Sequence, residues 1–412
     1  MFLVVQKKPP FSYQSQGLAE TILADIAAFS KPVKKFLSTL FSQWFSISGR
    51  YNFVNMARYM NYNEQSLRNG FERGVNFFVI NQKIIQNHNP QELVLAFDPT
   101  FIPKSGKHTC GLDLFWNGKE QRVKKGLELG CLAAIDVDNQ TALHLEAIQT
   151  PHAAQRAKNK SNLIEHYRNF LLQRIDALKQ ISSYLAVDGY FMKKDFILPL
   201  VNQGIHVITK MRPDANLKYL FRGKQKKGRG RTRKFGDKVN LKKLDLKKWE
   251  KITSDKNELI YTSEVYCVTL KRNVRVVYLR HVNGKGYTIL LSTEVGLSAI
   301  KIVAYYRLRF QIEFLIRDAK QHGGLQDCQS RGSKKMGFHF NMALTSVSLA
   351  KAEYYLIVAK EKRGAFSIQD IKRQQQNKTL AHLIFCNLDI DLSCKKIRRI
   401  YEKCCNWGRI AA

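Results

Sequence analysis

Residues 93–100 read LVLAFDPT, a run of five apolar residues that ends at Asp98. A short apolar run closed by polar residues is typical of a buried β-strand. Residues 183–190, SYLAVDGY, repeat the pattern with Asp188 after the apolar run. An isolated aspartate after a strand is usually a turn former or a helix cap. Two aspartates in equivalent positions favour a shared site instead, because functional groups gather at the strand ends of open sheets.

The segments around these two strands predict an α/β arrangement. Strand-like runs lie on both sides of a turn that contains Asp138, and segments with helical periodicity separate the later strands. The order of elements is therefore β-β-β-α-β-α-β. The remaining strands are LGCLAAID at 129–136, TALHLEAIQT at 141–150 and HVITKM at 206–211, and the helices are 162–178 and 192–201.

From 212 to 291 this alternation is lost. A glycine-rich basic block comes first, with 14 Lys and Arg residues and two Asp between positions 218 and 248. Its centre, GKQKKGRGRTRKFG, predicts a mobile loop that contacts phosphate groups, and a solvated charge run without function is the alternative. Three apolar or alternating runs follow, so the segment is predicted to be an all-β insertion: ELIYTSEVYCVTL, NVRVVYLRHV and GYTILLST.

Both flanks of the chain predict helices. Residues 1–90 have apolar side chains at helical spacing, and a long helix from 298 to 322 precedes further helical sequence from 340 onward. Within the first flank, 52–59 and 64–73 indicate two short helices around a tight turn. Such a pair is either a helix-turn-helix that reads DNA or part of a plain helical bundle, and the sequence favours neither.

The chain is strongly basic. It has 68 Lys and Arg residues against 33 Asp and Glu, a formal net charge of +35 over 412 residues. Its 44% hydrophobic content is too high for a disordered polycation, so a folded basic protein with a polyanionic partner is expected. Nucleic acid is the first candidate. No apolar run approaches the roughly 20 residues of a membrane span, and no secretory signal is evident, so the cytoplasm is the expected compartment.

The predicted helix at 298–322 has a polar face. At 100° per residue, Tyr306, Arg309, Glu313 and Lys320 fall within an arc of about 60°, opposite the apolar side. A solvent-exposed face with an Arg309–Glu313 ion pair is the simplest interpretation. Phosphodiester cleavage with two metal ions gives a reason to combine Glu313 with the two aspartates, because hard oxygen ligands hold Mg²⁺ or Mn²⁺.

These residues also match a known family. The sequence resembles bacterial DDE transposases of the insertion sequence 4 type, whose catalytic domain is RNase H-like. Their Y-(2)-R-(3)-E-(6)-K hallmark has the spacing of Tyr306, Arg309, Glu313 and Lys320. The blocks FDPTFIPKSGKHTCG and VDGYF match the family's two aspartate blocks, and a β-strand insertion before the glutamate is also typical.

The resemblance implies roles for single residues. The metal ligands and catalytic residues would be Asp98, Asp188 and Glu313, holding two Mg²⁺ or Mn²⁺ ions. Double-stranded DNA, comprising terminal inverted repeats and target DNA, would be the partner, and a homodimer would form the synaptic complex. The expected DNA contacts are Tyr306, Arg309, Lys320, Lys104 and Lys107 of the family blocks, and Arg229, Arg231, Arg233 and Lys234 of the basic loop.

Together these observations predict an α/β fold with an RNase H-like mixed five-stranded sheet, interrupted by a β-strand insertion and flanked by helical regions. The predicted division is an N-terminal helical DNA-binding region (1–90), a first core segment (91–211), the insertion (212–291), a second core segment (292–345) and a C-terminal helical region (346–412). A DDE transposase is the expected function. The alternatives are a non-catalytic DNA-binding protein derived from a transposase and a nuclease that cuts without joining.

Overall fold

The predicted strands form the centre of one mixed sheet. The structure is a computed structural model and describes residues 14–225, 232–252, 258–281 and 286–410. Within those ranges the sheet has twelve strands. In chain order they are β1 (Leu93–Pro103), β2 (Asp113–Asn117), β3 (Arg122–Asp136), β4 (Thr141–Gln149), β5 (Tyr184–Val187), β6 (His206–Lys210), β7 (Leu217–Leu220), β8 (Phe235–Lys238), β9 (Glu250–Ile252), β10 (Glu258–Cys267), β11 (Arg272–His281) and β12 (Tyr287–Ser292).

Helices cover the sheet and form both flanks of the described chain. The N-terminal set is α1 (Gln14–Ala24), α2 (Lys31–Gln43), α3 (Phe53–Met56), α4 (Glu64–Gly70) and α5 (Phe77–His88). The central set is α6 (Ala153–Lys158), α7 (Leu163–Leu172), α8 (Ile175–Ile181) and α9 (Lys194–Asn202). The last set is α10 (Ala299–Leu308), α11 (Gln311–Gln321), α12 (Ser333–Ile357), α13 (Ile368–Asn387) and α14 (Lys395–Cys405).

The central strands lie in the order β4-β3-β1-β5-β6. β3 pairs antiparallel with both β1 and β4, whereas β5 is parallel to β1 and β6 is parallel to β5. Parallel neighbours need long crossovers, and α6 to α9 supply them. This mixed five-stranded centre, with helices at both ends of the described chain, confirms the predicted fold class.

The insertion continues the same sheet. β12 pairs antiparallel with β6, and β11, β10 and β7 follow outward. The three long strands of the insertion, β10 to β12, were predicted from their apolar runs. The short strands β7, β8 and β9 were not predicted, because each has only three or four residues and they lie in or beside the lysine-rich block.

The two faces of the sheet are buried under different helices. On one face, Ala96 and Cys131 share a hydrophobic cluster with the N-terminal helices, α11 and α12. On the other, Phe97 packs with Tyr167 of α7 and Phe196 of α9. Side chains alternate along a strand, so Asp98 points to the same face as Ala96. Helix α11 therefore covers the face that carries Asp98.

Helix α12 joins the two flanks of the chain. The Phe338 ring on α12 lies 4.3 Å from the Phe71 ring, 5.1 Å from Phe77 and 6.2 Å from Phe36, measured between centroids. Every residue from 338 to 352 is buried. Position 345, where the sequence suggested a division between core and C-terminal region, falls inside this helix, and the five-part division stays a prediction.

The two short N-terminal helices pack into that core. Leu67 and Phe71 are fully buried, and a Cβ on Gly70 would lie 2.1 Å from the Phe36 ring, so the helix pair needs glycine there. Arg68 lies over the Phe53 ring and pairs with Glu64. These contacts fit the packing interpretation, and DNA reading by this pair stays a prediction.

The prediction of a single helix from 298 to 322 is wrong in one respect. The structure divides it into α10 and α11, because the backbone tightens at Arg309 and Phe310. The amide of Phe310 donates to the Arg307 carbonyl and that of Glu313 to the Phe310 carbonyl, both three residues back. The polar face continues across the break, as the contacts of Arg309 show below.

Two buried imidazoles lie at α12: His144 of β4 contacts it, and His339 belongs to it and packs against the Trp44 and Phe71 rings. His144 Nε2 is 3.0 Å from Oδ1 of Asn341, and His339 Nε2 is 2.8 Å from the Gly324 carbonyl oxygen. Burial lowers the pKa of each histidine to about 4. Below about pH 6.5 the folded chain therefore binds fewer protons than the unfolded chain. The free energy of unfolding falls as the pH decreases from about 6.5 to about 4.

We expect each histidine to lower the free energy of unfolding by about 2–3 kcal/mol at about pH 4.5, relative to neutral pH. Urea unfolding at both pH values measures the loss. His339→Gln should flatten the pH dependence, whereas His108→Gln, at an exposed position, should not. An unchanged slope in His339→Gln would contradict the assignment.

Candidate active site

Asp98 and Asp188 lie on neighbouring strands. The parallel register pairs Phe97 with Val187, and each aspartate directly follows one member of that pair. The Thr209 hydroxyl donates to the main-chain carbonyl of Asp188 at 3.0 Å and ties the end of β5 to β6. The two aspartates are therefore held at one place in the sheet by backbone pairing.

Strand β1 does not end at Asp98, as its apolar run suggested. It continues to Pro103 along the long strand β3. Pro99 lacks an amide donor, but β5 ends at Val187, so β1 is an edge on that side from Pro99 onward. Proline is tolerated at such edges. Asp98 thus lies in the middle of β1, at the point where the sheet narrows.

Asp98 is mostly buried and surrounded by charge. Its side chain is 22% exposed. Burial raises the pKa of the Asp98 carboxyl to about 7; the nearby charges of Glu313 and Asp188 also raise it, and those of Arg309 and Lys320 lower it. The carboxyl group therefore lies within electrostatic range of both other predicted acids.

Arg309 links two of these acids. Its Nη1 lies 3.7 Å from Oδ1 of Asp98, and its Nη2 donates to Oε1 of Glu313 at 3.0 Å. Its guanidinium carbon lies 5.8 Å from the centroid of the Tyr306 ring. The Arg309 side chain is only 13% exposed, so the interpretation of this face as solvent-exposed is wrong for Arg309.

Lys320 is bound to β1. Its Nζ donates to Oγ1 of Thr100 at 2.7 Å and to the Phe101 carbonyl at 2.9 Å. Burial lowers the pKa of Lys320, and the negative charge of Asp98 partly opposes that shift. Thr100 was not among the predicted residues. Its position two residues after Asp98, on the same face of the strand, was the available signal.

Asp188 differs from Asp98 in exposure. Its side chain is exposed and accepts a hydrogen bond from the Gly189 amide at 2.6 Å, at the start of a short 3₁₀ turn. A Cβ on Gly189 would lie 3.2 Å from the Lys210 carbonyl oxygen, so the turn lies tightly against β6. The cap that the sequence offered as an alternative is therefore present, and it uses Oδ1 of an exposed side chain.

The three acids do not form a closed cluster. Within the described ranges, no group of three or more His, Cys, Asp and Glu side chains is arranged to hold a metal ion. The Arg309 guanidinium contacts the carboxylates of both Asp98 and Glu313. The oxygen-only donor set nevertheless suits hard divalent cations such as Mg²⁺.

The two lysines of the KSGK block have different surroundings. Lys104 is half-buried, and its Nζ donates to the Cys328 carbonyl, which ties this loop to the segment before α12. Lys107 is exposed. The Cys110 amide also donates to the Arg331 carbonyl at 2.9 Å. Lys104 thus has a structural contact, whereas the Lys107 ammonium faces solvent.

The basic loop is described only in part. Arg229 and Arg231 lie outside the described residues. Arg233 and Lys234 are exposed. The Arg233 guanidinium lies 5.0 Å from the centroid of the Phe221 ring, and its Nη2 is 3.6 Å from Oδ1 of Asp237. The described end of the loop therefore presents cations to solvent.

Comparison with known families identifies the class of protein. Residues 89–349 match the family described as "Transposase DDE domain". That match covers more than half of the chain, so the chain belongs to this family of DNA-transposing enzymes. No curated protein gives a significant match. Among the described helices, none has the length and apolar character needed to cross a membrane.

Proposed function

We propose that the chain cuts DNA at the ends of a mobile element and joins the freed 3′-hydroxyl to target DNA. In this proposal Asp98, Asp188 and Glu313 are the catalytic carboxylates and the ligands of two Mg²⁺ or Mn²⁺ ions. The spacing of Tyr306, Arg309, Glu313 and Lys320 supports assignment to the insertion sequence 4 type. Two copies of the chain would pair two ends of double-stranded DNA.

One observation carries this proposal: backbone pairing of β1 with β5 brings Asp98 and Asp188 together, although 90 positions separate them. The contacts of Arg309 then connect Asp98 to Glu313. Such convergence of acids in a strongly basic chain suits a site that binds a polyanion and cleaves it. Bound divalent ions would activate the attacking hydroxyl and stabilise the leaving oxygen.

The chain's own cations have separate roles in this proposal. Arg309 offsets the charge of Asp98 and Glu313, and it orients the Glu313 side chain towards the sheet. Lys320 fixes β1 beside Asp98 through Thr100. Because the side chains of Arg309 and Lys320 are not exposed, we assign the first phosphate contacts to the exposed cations Lys107, Arg233 and Lys234. Tyr306 would contact DNA nearer the cut.

The test is a cleavage and joining assay. The inverted repeats that flank the gene, prepared as labelled duplexes, are incubated with the protein, supercoiled target DNA and either Mg²⁺ or EDTA. We expect Mg²⁺-dependent cuts at the repeat ends and covalently joined products. Binding without cutting would favour the non-catalytic alternative, and cutting without joined products would favour a nuclease.

A further inference from the structure

A two-stranded ribbon projects from the sheet beyond the end of β1. Strand β2 pairs with residues 122–126 of β3, whereas β1 stops at Pro103, opposite Gly126. Among the described residues, no strand pairs with the ribbon beyond Pro103 on the side of β3 where β1 lies. The ribbon is thus a protrusion that continues β3, the strand that pairs with β1 beside Asp98.

One face of this ribbon is apolar and exposed. Leu114 is 65% exposed, Trp116 57% and Val123 55%. The register places Trp116 opposite Val123 and Leu114 opposite Lys125, so all four side chains share one face. Phe115, on the other face, is buried. A contiguous apolar patch of this kind marks an interaction surface.

The apolar face of the ribbon lies on the same side of the sheet as Asp98. Side chains alternate along β3, so Val123 and Lys125 point in the same direction as Cys131, which pairs with Asp98. Eight residues separate Val123 from Cys131, or roughly 26 Å along the strand. Leu127, Leu129 and Cys131, which lie between, are buried in the cluster that includes α11 and α12, so the exposed part of this face begins at the ribbon.

The charges around the patch select the kind of partner. The ribbon has four cations and two carboxylates, and Glu120 pairs with Arg122 and Lys124. Asp113 accepts a hydrogen bond from the Ala153 amide, which anchors the base of the ribbon to α6. Among the described residues, Lys119 and Lys125 have no acidic partner. Two such faces repel each other, whereas a polyanion is attracted.

We propose that this ribbon enters the major groove of the DNA duplex, about eight base pairs from the phosphate at Asp98, given roughly 3.4 Å per base pair. Leu114, Trp116 and Val123 contact base edges, and the ammonium groups of Lys119 and Lys125 contact phosphates. The major groove is about 12 Å wide and admits a two-stranded ribbon, and thymine methyl groups are apolar partners within it. That the DNA is cut at the phosphate beside Asp98 rests on the proposed function.

Acrylamide quenching of tryptophan fluorescence tests the contact. In a Trp407→Phe background, Trp116 is the exposed tryptophan, because Trp44 and Trp249 are buried. The probes are a mixed-sequence duplex of about 40 base pairs, long enough to span the roughly eight base pairs between cut and ribbon, and one of its single strands. We expect the duplex to reduce quenching of Trp116 several-fold and more strongly than the single strand does.

Matched variants test the contribution to affinity. Trp116→Ala should weaken duplex binding about 10-fold, as loss of an apolar base contact would. Trp407→Ala, at a position 78% exposed on the C-terminal flank, should leave binding unchanged. Lys119→Ala should reduce the slope of the logarithm of affinity against the logarithm of salt concentration by about one, as the loss of one phosphate contact would. All are exposed positions, so an unchanged thermal unfolding midpoint is expected.

Other results would overturn the ribbon contact. Quenching that DNA does not alter would do so, as would stronger protection by the single strand. Protection without DNA that disappears on dilution would indicate a second copy of the chain instead. Cleavage and joining by the wild-type chain together with an unprotected Trp116 would refute the ribbon contact and leave the proposed function intact.

Discussion

Replacing Asp98 with asparagine is expected to slow end cleavage at least about 1,000-fold, which corresponds to about 4 kcal/mol of lost transition-state stabilisation. Asp188→Asn and Glu313→Gln should have the same effect. Each change preserves the size of the side chain but removes the negative charge that a divalent cation needs. DNA binding should persist, because the net charge of the chain stays strongly positive. Single-turnover cleavage and mobility-shift measurements on the same duplex separate the two properties.

The stability of the Asp98→Asn variant shows whether a loss of cleavage results from unfolding. Burial raises the pKa of this carboxyl to about 7, so the folded chain binds a proton here more readily than the unfolded chain does. Ionisation of Asp98 therefore lowers the free energy of unfolding as the pH rises from about 4 to about 7. At about pH 8, the thermal unfolding midpoint of Asp98→Asn should therefore be no lower than that of wild type. Asp138→Asn, in an exposed turn, is the matched control and should cut normally. Near-normal cleavage by any of the three variants would refute the site.

Replacing Asp136 with alanine is expected to cost about 3–5 kcal/mol of unfolding free energy. The Asp136 carboxylate is fully buried, and its Oδ2 lies 2.6 Å from Nε2 of His88. It also accepts hydrogen bonds from the amides of Asp138 and Asn139 and from the Asn139 side chain. Alanine would leave the buried imidazole and several donors without an acceptor. Urea unfolding near neutral pH measures the loss.

A neighbouring aspartate provides the comparison for this change. Asp138→Ala alters an exposed side chain in the same turn and should shift stability by less than about 0.5 kcal/mol. Asp136→Asn keeps one acceptor oxygen and should fall between the two. Equal stability of Asp136→Ala and wild type would show that the buried contact with His88 contributes little.

The strands around the site were predictable because their signal is local. Short apolar runs that end near Asp98 and Asp188 indicate buried strands whatever lies elsewhere in the chain. The insertion strands β10 to β12 were predictable for the same reason. Periodicity does not predict strand order, so the extension of the sheet that carries Asp98 into the insertion, through β6 and β12, was not predicted.

The surroundings of the cations were not predictable, because they depend on distant segments. Helical spacing grouped Arg309 with Glu313, but its burial follows from packing of α11 against the sheet. Lys104 resembled an ordinary surface lysine, yet its partner is a carbonyl more than 200 positions away. Trp116 gave no periodic signal, and its exposure depends on where β1 ends.

The position of α12 has a consequence for synthesis on the ribosome. The N-terminal helices complete their core with Phe338 and its neighbours, which are translated about 250 residues after α5. At about 5–20 residues per second, those helices wait on the order of 12–50 s for their partner. During that interval aromatic side chains such as Phe36 and Phe71 lack their final cover. Chaperone demand should therefore concentrate on nascent chains shorter than about 340 residues.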